Sequence, residues 1–160
     1  MHLKKRHPKR QRQTSLHNKR HWYKGALCSL YLNKGEFMTI SEAINKIDAL
    51  KFNTYTQAEK VSWLSTLDGL IKNEIVNMHE GAEEVEFTGY GESTPTDTVL
   101  IAPFPYDDMY IKWLEAQIDY TNAEYDKYDN SKLAFNTLYS AFYNWYTRTH
   151  KPIGKQFKCF

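Results

Sequence analysis

Cysteine is nearly missing from this chain: its 160 residues include two, Cys28 and Cys159, at opposite ends and without metal-ligand spacing. That excludes a disulfide framework and a cysteine zinc site, and it fits a reducing compartment. No apolar run approaches the roughly 18 residues that span a bilayer, so no membrane role is expected. Also lacking are the glycine-rich phosphate loop, the dinucleotide-binding glycine pattern and the nucleophile elbow of serine hydrolases. His79-Glu80 does not open a zinc-protease helix, because Ala82 and Glu83 stand where the second histidine would fall. His2, His7, His17 and His21 are scattered through low-complexity sequence and form no ligand set. No catalytic, cofactor-binding or metal-binding residue is assigned, and the chain is expected not to be an enzyme.

What is abundant is aromatic surface, 15% of residues with twelve Tyr, within an ordinary 41% hydrophobic and 25% charged composition. Tyrosine covers apolar area while keeping a polar tip, so it suits half-buried rims and subunit contacts alike. The length fits one domain with one core. The net charge of +2 hides an uneven chain: residues 1–37 carry ten Lys/Arg against Glu36 alone, for +9, and the remainder carries −7.

Residues 1–37 are read as a basic leader, either a disordered arm that lies on nucleic acid by charge neutralisation or sequence upstream of the true start. Lys34-Gly35-Glu36-Phe37 before Met38 back-translates to a purine-rich ribosome-binding sequence, and the natural chain is expected to begin at Met38. A helical domain over 38–151, with a loop insertion at 81–105 and a flexible tail at 152–160, completes the organisation.

Two S/T-x-x-E capping boxes, Thr39 to Glu42 and Thr56 to Glu59, start a first helix ending near Leu50 and a second running from about Gln57 to His79 and stopping at Gly81. The second carries the stripe Val61, Leu64, Leu67, Ile71, Ile75 and Met78. Gly81 to Pro105 is turn-rich, with five acids from Glu80 to Glu92, and reads as a small hairpin or extended loop. Its Val85, Phe87 and Tyr90 are candidate partner contacts, with a solvated insertion as the plain alternative. Pro103 and Pro105 impose extended backbone, and Asp107 or Asp108 can cap the third helix. That helix is read to line up Tyr110, Trp113 or Leu114, Ile118, Thr121, Tyr125 and Tyr128, and to break at Asp129-Asn130-Ser131. A fourth follows, with Ala134, Leu138, Ala141, Phe142 and Trp145 on one face and Phe135, Tyr139, Tyr143 and Tyr146 on a second. The fold class is mainly α: a small four-helix domain with a helical hairpin core and a short β-hairpin or extended loop.

Two aromatic faces on one helix exceed what a single core needs, so one is expected to meet another subunit. Arg148 is the only arginine after Met38; it suits the negative end of the last helix and could reach a carboxylate across an interface. Glu115 and Asp119, one helical turn apart, are read as a solvated face, with a divalent cation as the sharper alternative.

The pattern Pro105-Tyr106-Asp107, Tyr110, Leu114-Glu115-Ala116-Gln117-Ile118-Asp119, Asn122, Glu124, Tyr128, Asn130, Phe135, Phe142, Trp145-Tyr146 and Arg148 resembles the head-tail connector (adaptor) proteins of tailed phages and prophages. Met38 to Glu42 and Asn53 to Gln57 are also similar, so the resemblance runs from Met38 to about Lys151. It implies a virion protein assembled as a homo-oligomeric ring, commonly of about twelve copies, with closed rotational symmetry. It also implies a place beneath the portal protein, where the ring extends the DNA channel without specific binding and docks a tail-completion protein. The −7 body fits passage of DNA without gripping it. The other reading is a small nucleic-acid-binding or regulatory protein that uses the basic arm.

Overall fold

The computed structural model describes residues 37–82, 86–91 and 93–154. The leader up to Glu36, Val85 in the loop and the tail beyond Gly154 lie outside the described residues. Strand β1 (Phe37–Thr39) leads directly into α1 (Ile40–Leu50), which is followed by α2 (Gln57–Glu74), β2 (Val99–Pro103), α3 (Asp108–Thr121) and α4 (Tyr125–Thr149).

Both capping boxes form as their sequences require. The Thr39 hydroxyl accepts from the Glu42 N–H at 3.2 Å while the Glu42 carboxylate accepts from the Thr39 N–H at 2.8 Å. Thr56 and Glu59 repeat the exchange at 3.3 and 2.7 Å. Each pair satisfies two amides that have no partner inside the helix. α2 is shorter than its apolar stripe suggests: it ends at Glu74, and a 3-10 turn over Val76–Met78 takes the chain down to His79. Met78 is consequently half exposed, and the buried imidazole Nδ1 of His79 lies 2.7 Å from the Ile75 carbonyl.

The extended segment before Pro103 is β2, and its partner is the distant β1, antiparallel with Phe37 opposite Pro103 and Thr39 opposite Val99. Met38, Leu100 and Ala102 point from this two-stranded sheet into the core. They meet Ile40, Ala43, Ile44 and Ile47 of α1, Leu64, Leu67 and Ile71 of α2, and Met109, Tyr110, Ile111, Leu114 and Ile118 of α3. Burial of this apolar set is the main driving force for the fold.

The hairpin of α3 and α4 exists, but its bend is at Asn122–Glu124 and not at Asp129–Ser131, which lie inside α4. Ala123 takes a left-handed φ of 57°. Its N–H donates to the Tyr120 carbonyl at 3.0 Å, and the Glu124 N–H donates to the Asp119 carbonyl at 2.9 Å. That pair of bonds is a Schellman closure with alanine in the place glycine usually takes. Tyr125 and Tyr128 therefore belong to α4, and Thr121 is exposed at the end of α3. Asp107 sits at the start of α3 without capping it, because its backbone is already helical (φ −63°, ψ −23°) and its side chain bonds no helix N–H. The tail is held for its first residues: the Glu80 N–H donates to the Lys151 carbonyl at 2.7 Å and the Ile153 N–H to the Met78 carbonyl at 2.8 Å.

Candidate functional site

α4 is 25 residues long yet fully buries only Ser131 and Phe142, so it lies along the outside of the core as a half-covered rod. Its rings fall into three groups. Near its C-terminal end, Phe142 packs with Tyr106 and Trp145 at 5.9 Å between centroids, and Tyr146 stacks on His150 at 3.9 Å and meets His79 edge-on at 5.2 Å. In the middle, Phe135 lies 5.1 Å from Trp113, whose indole N–H donates to the Trp63 carbonyl at 2.8 Å. Tyr139 packs on Phe135 at 5.6 Å. Burial raises the Tyr139 and Tyr146 hydroxyl pKa values, and nearby Glu74 adds to the effect at Tyr139. Of the second aromatic face, Phe135, Tyr139 and Tyr146 are thus half covered within this one chain, and Tyr143 is the member left exposed.

The third group stands at the hairpin bend and is the most open. Tyr120 packs against Tyr125 at 6.4 Å and Tyr128 at 5.3 Å, with Tyr120 and Tyr125 58% and 61% exposed. The link between α1 and α2 reaches the same end. Lys51 pairs there with the buried carboxylate of Asp119, and the Tyr55 hydroxyl donates to the Asn122 side-chain carbonyl at 2.6 Å. On either side of Lys51, Leu50 and Phe52 are 73% and 92% exposed. Leu133, two turns beyond Tyr125 on α4, is exposed as well. One end thus gathers apolar and aromatic side chains that the described residues leave uncovered.

Asp119 is no part of a solvated face. It is fully buried, paired with Lys51, and accepts the Ser131 hydroxyl from α4 at 2.8 Å. Glu115 pairs instead with Lys112 at 2.8 Å, so the two acids do not converge, and no group of three or more potential metal ligands exists among the described residues. Arg148 is exposed, its Nε–H donating to the Asn144 carbonyl at 3.0 Å, and it has no carboxylate partner among the described residues.

A second buried acid, Asp68 of α2, escaped the sequence reading. It is wholly enclosed with no cationic partner among the described residues, and it accepts the hydroxyls of Tyr110 (α3) and Tyr90 (loop) at 2.5 Å each and the Ile101 N–H at 3.4 Å. Burial pushes its carboxyl up to about 6 even though the hydroxyl and amide bonds oppose that rise. The same enclosure and the carboxylate beside them raise the Tyr110 and Tyr90 hydroxyls. Phe87 and Tyr90, read as loop residues for a partner, turn toward α2: the Phe87 ring lies where a Cβ on Gly69 would touch it at 3.6 Å and packs edge-on to Tyr90 at 5.2 Å. Beside them is a groove of about 440 Å³, floored by Ile40, Ala58 and Val61 and rimmed by Tyr90, Thr94 and Thr96.

These features describe a small mainly helical domain with a two-stranded antiparallel sheet and an uncovered aromatic end. Among the described residues no helix is long and apolar enough to cross a membrane. No family model, curated protein or solved structure matches the chain.

Proposed function

We propose that the chain is a structural virion protein: a head-tail connector that assembles as a ring beneath the portal protein, extends the DNA channel and docks a tail-completion protein. The observation that carries the assembly part is the uncovered end at Phe52, Tyr120 and Tyr125, with Leu50 and Leu133 beside it. Exposed rings of this density cost solubility in a lone subunit and gain their burial only when a neighbour covers them. The connector part rests on the resemblance over Met38 to about Lys151, and the −7 charge of that body suits a channel through which DNA slides.

The test is mass photometry of the purified chain alone and mixed with the portal protein encoded beside its gene. A defined higher-order ring on the portal supports the reading, and replacing Phe52 and Tyr125 with Ser should abolish it while leaving the monomer folded by circular dichroism. A chain that stays monomeric with the portal present, or a gene without portal and capsid neighbours, overturns it.

A further inference from the structure

Residues 86–91 have no helix or strand of their own, yet they are fastened to α2 at three positions within about one helical turn. The Tyr90 N–H donates to the Ser65 hydroxyl at 2.8 Å, the Tyr90 hydroxyl reaches Asp68, and the Phe87 ring lies against Gly69. Gly89 permits the approach, because its φ of 86° suits glycine and a Cβ there would meet the Ser65 hydroxyl at 2.8 Å. Small side chains at 65 and 69 form the seat, and the acid between them is the anchor.

We propose that residues 86–91 are a clasp that opens from α2 as a unit, with Asp68 as its proton-sensitive anchor. The inference does not rest on the connector reading and is measured on the isolated chain. In the closed state Phe87 and Tyr90 are half-buried against α2, and release would offer both rings more fully to a partner. Opening also removes Tyr90 from the wall of the neighbouring groove.

The groups facing Asp68 set the direction. From the loop comes the Tyr90 hydroxyl, from α3 the Tyr110 hydroxyl and from β2 the Ile101 N–H; no cationic side chain pairs with it among the described residues. Enclosure holds its carboxyl near 6, above the ordinary 3.8, so the closed state keeps the proton more tightly than an open state in which water returns. Closure is therefore favoured below the ordinary value and weakens as pH rises through about 6.

Hydrogen exchange of the Tyr90 amide tests this, with rates corrected for the intrinsic pH dependence. The Tyr90 amide should open more often than the core amides of Leu67 and Ile71, and its opening constant should rise about tenfold between pH 4.5 and pH 7 as Asp68 is partly rehydrated. Asp68→Asn should remove that rise. Tyr90→Phe, which keeps the ring, should raise the opening constant at both pH values without changing core exchange. Exchange of Tyr90 in step with the core, or a pH response that survives in Asp68→Asn, overturns the clasp. If Asp68→Asn does not fold, an unchanged Tyr90 amide in Tyr90→Phe overturns it alone.

Discussion

Phe142 is the one large side chain that α4 buries completely, wedged among Tyr106, Trp145 and Tyr146. Phe142→Ala should cost about 3 to 5 kcal/mol, because the lost transfer energy is joined by a cavity that rigid rings around it cannot fill. Trp145 is only half covered, so Trp145→Ala should cost less, and urea melts of the two variants will rank them. Equal midpoints for both variants and the parent would mean that α4 does not seal this core. Phe142 could be picked from the sequence because it recurs with Leu138 and Trp145 at helical spacing. Asp68 was legible in principle: it stands on the stripe of Leu64, Leu67 and Ile71, and an acid on an apolar stripe signals a buried, bonded carboxylate. Asp119 gave no such signal, since Lys51 comes to it from 68 residues away and Ser131 from the facing helix α4.

Among the elements, those started by local chemistry were the ones the sequence revealed. Each capping box is complete within four residues, and its Glu is held below the usual carboxylate range by the backbone N–H of Thr39 or Thr56. That contribution is present above the ordinary carboxyl value and fades as pH falls through the lowered one. The α3–α4 bend was misplaced for an equally local reason. Asp129, Asn130 and Ser131 are turn formers by type, but Ser131 is used inside α4 to bond Asp119, and Asn130 donates to the carbonyl of Asp126 one turn back. The real bend relies on Ala123, whose Cβ disfavours the left-handed region. Ala123→Gly should therefore stabilise the domain by about 0.5 to 1 kcal/mol, the lower strain exceeding the added freedom of the unfolded chain. A thermal midpoint at or below that of the parent would show that the bend is not strained. Pairing of β2 with β1 was beyond local reading, because the partners are some sixty residues apart and no turn joins them.

At the scale of the whole molecule, charge is the organising fact. Residues 1–37 carry +9 and the rest −7, so the two parts present opposite fields to any polyanion. Phe37 pairs with Pro103, and Met38 is buried; a chain beginning at Phe37 therefore keeps every described element. Such a chain should melt with the full-length protein. The two should part in their affinity for duplex DNA. The full-length chain should bind without sequence preference and weaken steeply as salt rises from 50 to 200 mM, because each neutralised phosphate releases counterions, at a log–log slope of about −0.9 per contact. The shortened chain, net acidic, should show no measurable binding in the same fluorescence-anisotropy titration. If it binds as tightly, the contact surface belongs to the helical domain, and a channel wall that lets DNA slide past would no longer fit its charge. If it fails to fold, residues upstream of Phe37 are part of the domain and cannot be set apart as a leader.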